Sequence, residues 1–182
     1  RDSGFVASQD SFIHAWNSRA IDNGFDGFSV YSGSFLDANS ADARSDDESN
    51  HTIADGNHGV GLSVSQRSYA SVNGIWARGN HKGGLGGGGS SGIDASWALL
   101  LDSLAGQGAG VNGESFMNVN DAVVKGNPQG GISCGGGSYC SAQRTEVRNN
   151  NGTDSATPIP PYEVDFGFNV YWDAWLDITG AV

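Results

Sequence analysis

The chain has 182 residues, enough for one domain. Twenty acidic residues against nine Lys and Arg leave a formal charge of −11. That balance excludes a nucleic-acid partner, which needs clustered positive charge, and disfavours anionic membrane surfaces. Glycine fills 29 of 182 positions beside only 4 prolines, so the chain is glycine-rich without being collagen-like. Leu, Ile, Val and Phe together reach 37 residues, near the lower limit for burying a core, while five Trp and five Tyr argue against disorder. No apolar run approaches the length of a membrane-spanning helix. The first residue is Arg1 rather than Met, which suggests a processed product or a piece of something longer.

A thin core is sufficient if it repeats, and this chain repeats. The pattern Gly-apolar-x-small-x-x-x-Ser runs from Gly4 to Ser11, Gly27 to Ser34, Gly61 to Ser68, Gly84 to Ser91, Gly108 to Ser115 and Gly131 to Ser138. The serines are 23, 34, 23, 24 and 23 residues apart. Two residues after each serine stand Ile13, Leu36, Ala70, Ile93, Met117 and Cys140; four after stand Ala15, Ala38, Val72, Ala95, Val119 and Ala142. Nine after come Ala20, Ala77, Leu100, Val124 and Val147, and twelve after come Asn23, Asn80, Ser103, Asn127 and Asn150. Apolar residues alternate with period two inside each unit, as in strands. Short strands joined by Gly and Asn turns at this period predict an all-β parallel β-helix of about six coils over residues 1–151. Asparagine accepts the left-handed conformation of a turn and can ladder with the coil above. The Leu-x-x-Leu-x-Leu frame of leucine-rich repeats and the 3.6-residue period of helical repeats are both missing.

The first coil is in register from Gly4, which leaves no room for a cap; the expectation is a preceding domain to stack on or earlier residues removed, with a frayed first coil as the alternative. The 34-residue unit is one normal coil with about eleven extra residues. The surplus, about 39–54, reads as a polar loop leaving the solenoid, dispensable for folding, with Asn57 restored to the asparagine column once it is removed. Asp42, Asp46, Asp47 and Glu48 in it are candidates for a cation-binding loop, although such a cluster in a serine-rich loop is equally a solvated one. The calcium-binding nonapeptide of some β-helices is absent, and no cofactor or metal site is indicated elsewhere.

The residue after each repeat serine is Phe12, Phe35, Tyr69, Gly92, Phe116 or Tyr139. With its neighbours facing inward, this column faces outward as a subunit interface, a sugar-stacking platform or ordinary packing. The next outward column, His14, Asp37, Ser71, Asp94, Asn118 and Ser141, is polar. Phe12, Phe35, Tyr69, Asp37 and Asp94 are therefore candidate glycan contacts. Asp37 and Asp94 stand two coils apart, roughly 9.6 Å, near the upper limit for an inverting glycosidase pair. Gly56-Asn57-His58-Gly59 is only weakly similar to the Gly-His-Gly of pectin hydrolases, and their Arg-x-Lys is missing. No catalytic residue is assigned. Cys134 and Cys140 lie six residues apart at inward positions, either as a disulfide or as two reduced core cysteines, the second being favoured if assembly is cytoplasmic.

After Asn151 a Pro-containing linker, 152–162, leads to a segment that alternates from Glu163 to Ile178. Val164, Phe166, Phe168, Val170, Trp172 and Leu176 would share one face of a long strand or tight hairpin, with Asp165, Asn169, Asp173 and Asp177 opposite. Such a face either caps the last coil or meets copies of itself, with Phe116 and Tyr139 extending the contact.

The Gly-to-Ser coils of residues 4–151, followed by a Pro linker and an aromatic-rich alternating tail, resemble the distal part of a bacteriophage tail fibre or tailspike. The resemblance implies a right-handed parallel β-helix whose residues 163–182 cap it or hold a homotrimer. It implies a structural or receptor-binding module located in the virion, other tail proteins on its N-terminal side, and host surface polysaccharide as the partner. The alternative is a secreted polysaccharide-degrading β-helix, a lyase or glycoside hydrolase, or a fragment of one.

Overall fold

The computed structural model describes residues 2–150 and 167–182. The linker 152–162, and Val164 and Phe166 of the tail, lie outside the described residues. Each turn of the chain contributes one short strand to each of three sheets, and equivalent strands of successive turns pair in parallel. Sheet A runs from Phe5–Ala7 through Phe28–Val30, Val60–Ser65, Gly83–Gly88, Gln107–Val111 and Ile132–Gly135 to Phe168–Tyr171. Sheet B begins at Phe12–His14 and ends at Tyr139–Ser141 and Trp175–Asp177; sheet C begins at Arg19–Ile21 and ends at Glu146–Arg148. The result is a parallel β-solenoid of about six turns, as the repeat implies. Seven stacked strands at strand spacing make a rod about 29 Å long.

The register matches the columns read from the sequence. Leu100 stands between Ala77 and Val124 in sheet C, and Ile93 between Ala70 and Met117 in sheet B. These inward residues are buried and form one continuous core. Because the interior is only one or two side chains wide, each turn buries little by itself and is stable through its neighbours.

Two corners explain the serine and asparagine columns. Between sheets A and B, two successive left-handed residues turn the chain in every coil: Gln9 and Asp10, Gln66 and Arg67, Gly136 and Gly137. The following serine is mostly buried and accepts from the backbone of its neighbour one turn back: Ser34 N–H donates to Ser68 Oγ, and Ser115 N–H to Ser138 Oγ. Between sheets C and A the asparagines form a buried ladder. Asn57 Nδ2 donates to Asn80 Oδ1 at 2.8 Å and Asn127 Nδ2 to Asn150 Oδ1 at 2.9 Å, while each Oδ1 also accepts from a backbone N–H. The repeat glycine packs against this ladder. A Cβ at Gly61 would lie 2.7 Å from Gly84 O and 3.0 Å from Asn80 Nδ2, so no side chain fits.

One open alternative is settled and two expectations are corrected. Of the two states the spacing allows, Cys134 and Cys140 take the disulfide. They flank the left-handed Gly136-Gly137 corner, which folds two inward positions back to a Cα separation of 6.2 Å, within bridging range.

The insertion does not stand away from the solenoid. Ser40 still pairs with Asn73, and Ile53–Asp55 is already a strand of sheet C, so the excursion is residues 41–50, its ends tied by Ala41 N–H to Asn50 O. It lies down on the rod. Ala43 packs on Gly74, where a Cβ would sit 2.6 Å from the Ala43 methyl. Arg44 stacks 4.8 Å over the Trp97 ring. Arg19 and Arg78 both donate to Glu48. His51 stacks 4.3 Å from Trp76, its ring nitrogens 2.7 Å from the Gly74 and Ser45 carbonyl oxygens. Ile53, on the outward side of sheet C, is fully buried yet outside the main core.

The tail is not one strand with a single apolar face. Trp172 and Asp173 are both left-handed, the same corner as in every earlier coil, and they split it into Phe168–Tyr171 and Trp175–Asp177. These strands pair with Ile132–Gly135 and Tyr139–Ser141 as the start of a seventh turn. Phe168, Val170 and Leu176 therefore fall in inward columns above Ile132, Cys134 and Cys140, and Trp172 stands exposed at the corner. Val182 ends the chain against the last strand of sheet C, accepting from Val147 N–H.

Candidate functional site

The outward face of sheet B is a regular surface of three columns. The aromatic column contains Phe12, Phe35, Tyr69, Gly92, Phe116, Tyr139 and Trp175 in register. Phe12 and Phe35 stack at 5.2 Å between centroids, Phe35 and Tyr69 at 5.4 Å, and Phe116 and Tyr139 at 5.9 Å. Gly92 interrupts the ladder, and the Tyr69 ring leans over it: a Cβ at Gly92 would meet Tyr69 Cδ2 at 2.6 Å. Two aromatic patches result. Phe12 is 61% exposed at one end and Trp175 74% at the other, far more than a solvated sheet face requires.

The middle column is polar and largely self-satisfied. Asp37 accepts from Trp16 Nε1 and Asn39 Nδ2, both at 2.7 Å, and its other oxygen lies 3.1 Å from His14 Nδ1. Ser71 stands between Asp37 and Asp94, as the spacing implies. Asp94 accepts from Asn118 Nδ2 at 3.0 Å. Burial and then the Asp94 charge push the Tyr69 phenol above its ordinary range, so Tyr69 presents a neutral ring. Asp177 is held below the usual carboxylate range by donation from Gln143 and then Thr179.

The third column is an amide ladder along the edge. Asn39 Oδ1 accepts from Asn73 N–H, Asn73 Oδ1 from Ser96 N–H, and Asn120 Oδ1 from Gln143 N–H. These side chains close the backbone at the B–C corner, so they are structural. The outward surface that remains is the aromatic column, with His14 and Trp16 beside Phe12; the His14 and Trp16 rings lie 4.4 Å apart.

The structure brings Phe12, Phe35, Tyr69, Asp37 and Asp94 onto one face, and places Phe116 and Tyr139 farther along it. It does not gather the loop carboxylates. Glu48 is engaged by two arginines, and Asp47 caps the short 3-10 turn Glu48–Asn50 by accepting from Ser49 N–H, which lowers its pKa. Asp42 accepts from Arg44 N–H. Among the described residues no group of three or more His, Cys, Asp or Glu is placed to hold a metal ion. Trp16 and Trp175 were missed in the sequence. Trp16 follows His14 by two, the outward period. Trp175 becomes visible once Gly167 is aligned with the glycine column, but Ala174 replaces the marker serine and hides it.

Fold and face together define a parallel β-solenoid with a stacked aromatic ladder on one sheet. No family model, curated protein or solved structure matches the chain.

Proposed function

We propose that this chain is a receptor-binding module of a viral tail fibre or tailspike that presents sheet B to cell-surface polysaccharide. The observation that carries the reading is the outward ladder Phe12, Phe35 and Tyr69, exposed at Phe12 and half-buried at the other two, flat rings at coil spacing on a rigid sheet. Flat rings offer apolar area to the faces of sugar rings at low entropic cost, since the sheet already orders them. The hydrogen-bonded Asp37 and Asp94 keep the neighbouring column fixed rather than reactive. The second patch, Phe116, Tyr139 and Trp175, with the exposed Trp172 and Val170, supports self-association at the C-terminal end, which the fibre reading takes as a homotrimer.

The test pairs binding with size. Phe35→Ala with Tyr69→Ala should weaken retention on host surface polysaccharide about tenfold, equivalent to about 1.4 kcal/mol, without lowering the melting temperature by more than a few degrees. Light scattering should give three copies for the parent and fewer for Trp172→Ser with Trp175→Ser. Undiminished retention overturns the ladder as the binding face, and a monomeric parent overturns the fibre reading.

A further inference from the structure

Sheet A carries the opposite kind of surface. Its outward column is small: Ser63, Gly86, Gly110 and Ser133 follow one another in register. Between side chains at its two margins lies a groove of about 290 Å³ that reaches from Val60 in the third turn to Tyr171 in the seventh. Four coil spacings make that about 19 Å along the rod.

Three observations give this groove a chemistry. The first is Ser133 in its floor. It lines the groove, and among the described residues its hydroxyl has no hydrogen-bond partner; since no buried polar side-chain atom there is left unpaired, this hydroxyl opens to the groove. A hydroxyl is both donor and acceptor, so a ligand hydroxyl in the groove would bond it in place of water.

The second is the walls. Gln107 and Gln129 line one side and Asn112 lines the groove too, and none of these three amides has a hydrogen-bond partner among the described residues. On sheet B the contrast is complete, because Asn39, Asn118, Asn120 and Gln143 are all bonded to neighbours. An amide both donates and accepts, so three unengaged amides around an unengaged serine suit a ligand dense in hydroxyl groups. Tyr171, lying over Gly135, adds an aromatic ring at the far end.

The third is charge. Among the described residues, Lys82 is the only charged one lining the groove, and its ammonium lies 5.6 Å over the Phe25 ring, drawn toward that face. The chain as a whole carries −11, so a polyanion would be repelled. The glycine floor leaves room for a chain to lie against the backbone rather than a compact ligand to sit in a pocket.

We infer that the sheet A groove binds a linear neutral polysaccharide, with Ser133, Gln107, Gln129 and Asn112 bonding its hydroxyls and Tyr171 stacking on a sugar ring. The site shares a ligand class with the sheet B reading but none of its residues.

The test is calorimetric titration of the full chain with cellohexaose, mannohexaose and maltohexaose, and with a hexamer of galacturonate. At least one neutral hexasaccharide should bind, and the oligouronate should bind at least about tenfold more weakly. Gln107→Ala with Asn112→Ala should weaken the neutral ligand by about tenfold or more with an unchanged melting temperature, because neither side chain has a partner to lose. Gly110→Val, which raises the floor against the flexible Gln107 side chain, should abolish binding. If that variant fails to fold, the amide pair still decides. Phe35→Ala with Tyr69→Ala should leave the groove affinity unchanged, so failure of the sheet B reading is separately visible. Absence of neutral-sugar binding, equal or tighter binding of the oligouronate, or indifference to the amide pair would overturn the assignment.

Discussion

Two ladders climb this rod at the same spacing and do different things. The asparagine ladder at the C–A corner is buried, and each amide closes backbone groups of its own and adjacent turns. The aromatic ladder on sheet B lies on the outer surface, exposed at Phe12, Phe116, Tyr139 and Trp175 and half-buried at Phe35 and Tyr69; its rings touch mainly one another, and it satisfies no backbone group. Periodicity alone therefore does not separate structure from function in a solenoid. Burial and hydrogen-bond accounting do: a column that completes the backbone is needed by the fold, and a column that leaves apolar area in water is available to a partner.

The sharpest way to break that distinction is at Asn127. It is fully buried, donates to Leu100 O, Lys125 O and Asn150 Oδ1, and accepts from Ser103 N–H. Asn127→Leu strands several of these at once, at about 1–3 kcal/mol for each that stays dry. Denaturant unfolding should show a loss on the order of 4 kcal/mol, with the stack weakened between neighbouring turns. A loss below about 1 kcal/mol would reduce the buried ladder to the same status as the exposed one.

A smaller effect is expected where packing is not periodic. Replacing residues 41–50 with a short turn removes the Ser45 carbonyl that partners the buried His51 ring and the Arg44 contact with Trp97. A buried ring nitrogen left unpaired costs about 1–3 kcal/mol, while shortening the loop returns only a little entropy. The rod should stay soluble and folded but lose about 2 kcal/mol in the same measurement. No loss at all would mean that the insertion merely rests on the surface.

The smallest effect concerns Asp26, a buried polar group that belongs to no ladder. It accepts from Val60 N–H at 3.0 Å and Ser29 Oγ at 3.1 Å, yet burial outweighs these bonds and raises its pKa. With the folded value above the unfolded one, the fold disfavours the charged form. The stability this group allows is full below the unfolded pKa and declines as pH rises through the folded one. Asp26→Asn keeps a carbonyl acceptor for Val60 and does not titrate. Thermal unfolding should therefore show the variant gaining on the parent between acid and neutral pH. A variant that falls further behind as pH rises would show that the carboxylate, like the asparagines, supports the fold.

Much of this was readable in the residues. The Gly-to-Ser frame located the strands and the inward positions, and the asparagine column located a corner, because each is a local requirement repeated in every coil. Phe12, Phe35 and Tyr69 were legible as outward for the same reason. The tail was misread because its period-two alternation is the same in one long strand as in two short ones around a corner. The left-handed pair Trp172 and Asp173 carries no glycine to mark it. The insertion was misread because Ala43, Arg44 and His51 are polar or small in sequence, and their partners Gly74, Trp97 and Trp76 come from later turns.

The amino-acid sequence by itself determined the repeat, its register and which side of each strand faces the core, since those follow from the period of strands and the steric demands of Gly, Ser and Asn at fixed offsets. Only the tertiary structure decided which polar groups are spent and which are free. Asp37 and Asp94 are engaged by residues two to twenty-four positions away, Cys134 and Cys140 close across a corner, and Gln107, Gln129, Asn112 and Ser133 converge on one groove with no side-chain partner among the described residues. A hydrogen bond depends on the position of a partner about 3 Å away, and in a solenoid that partner usually lies one turn along the rod rather than next along the chain.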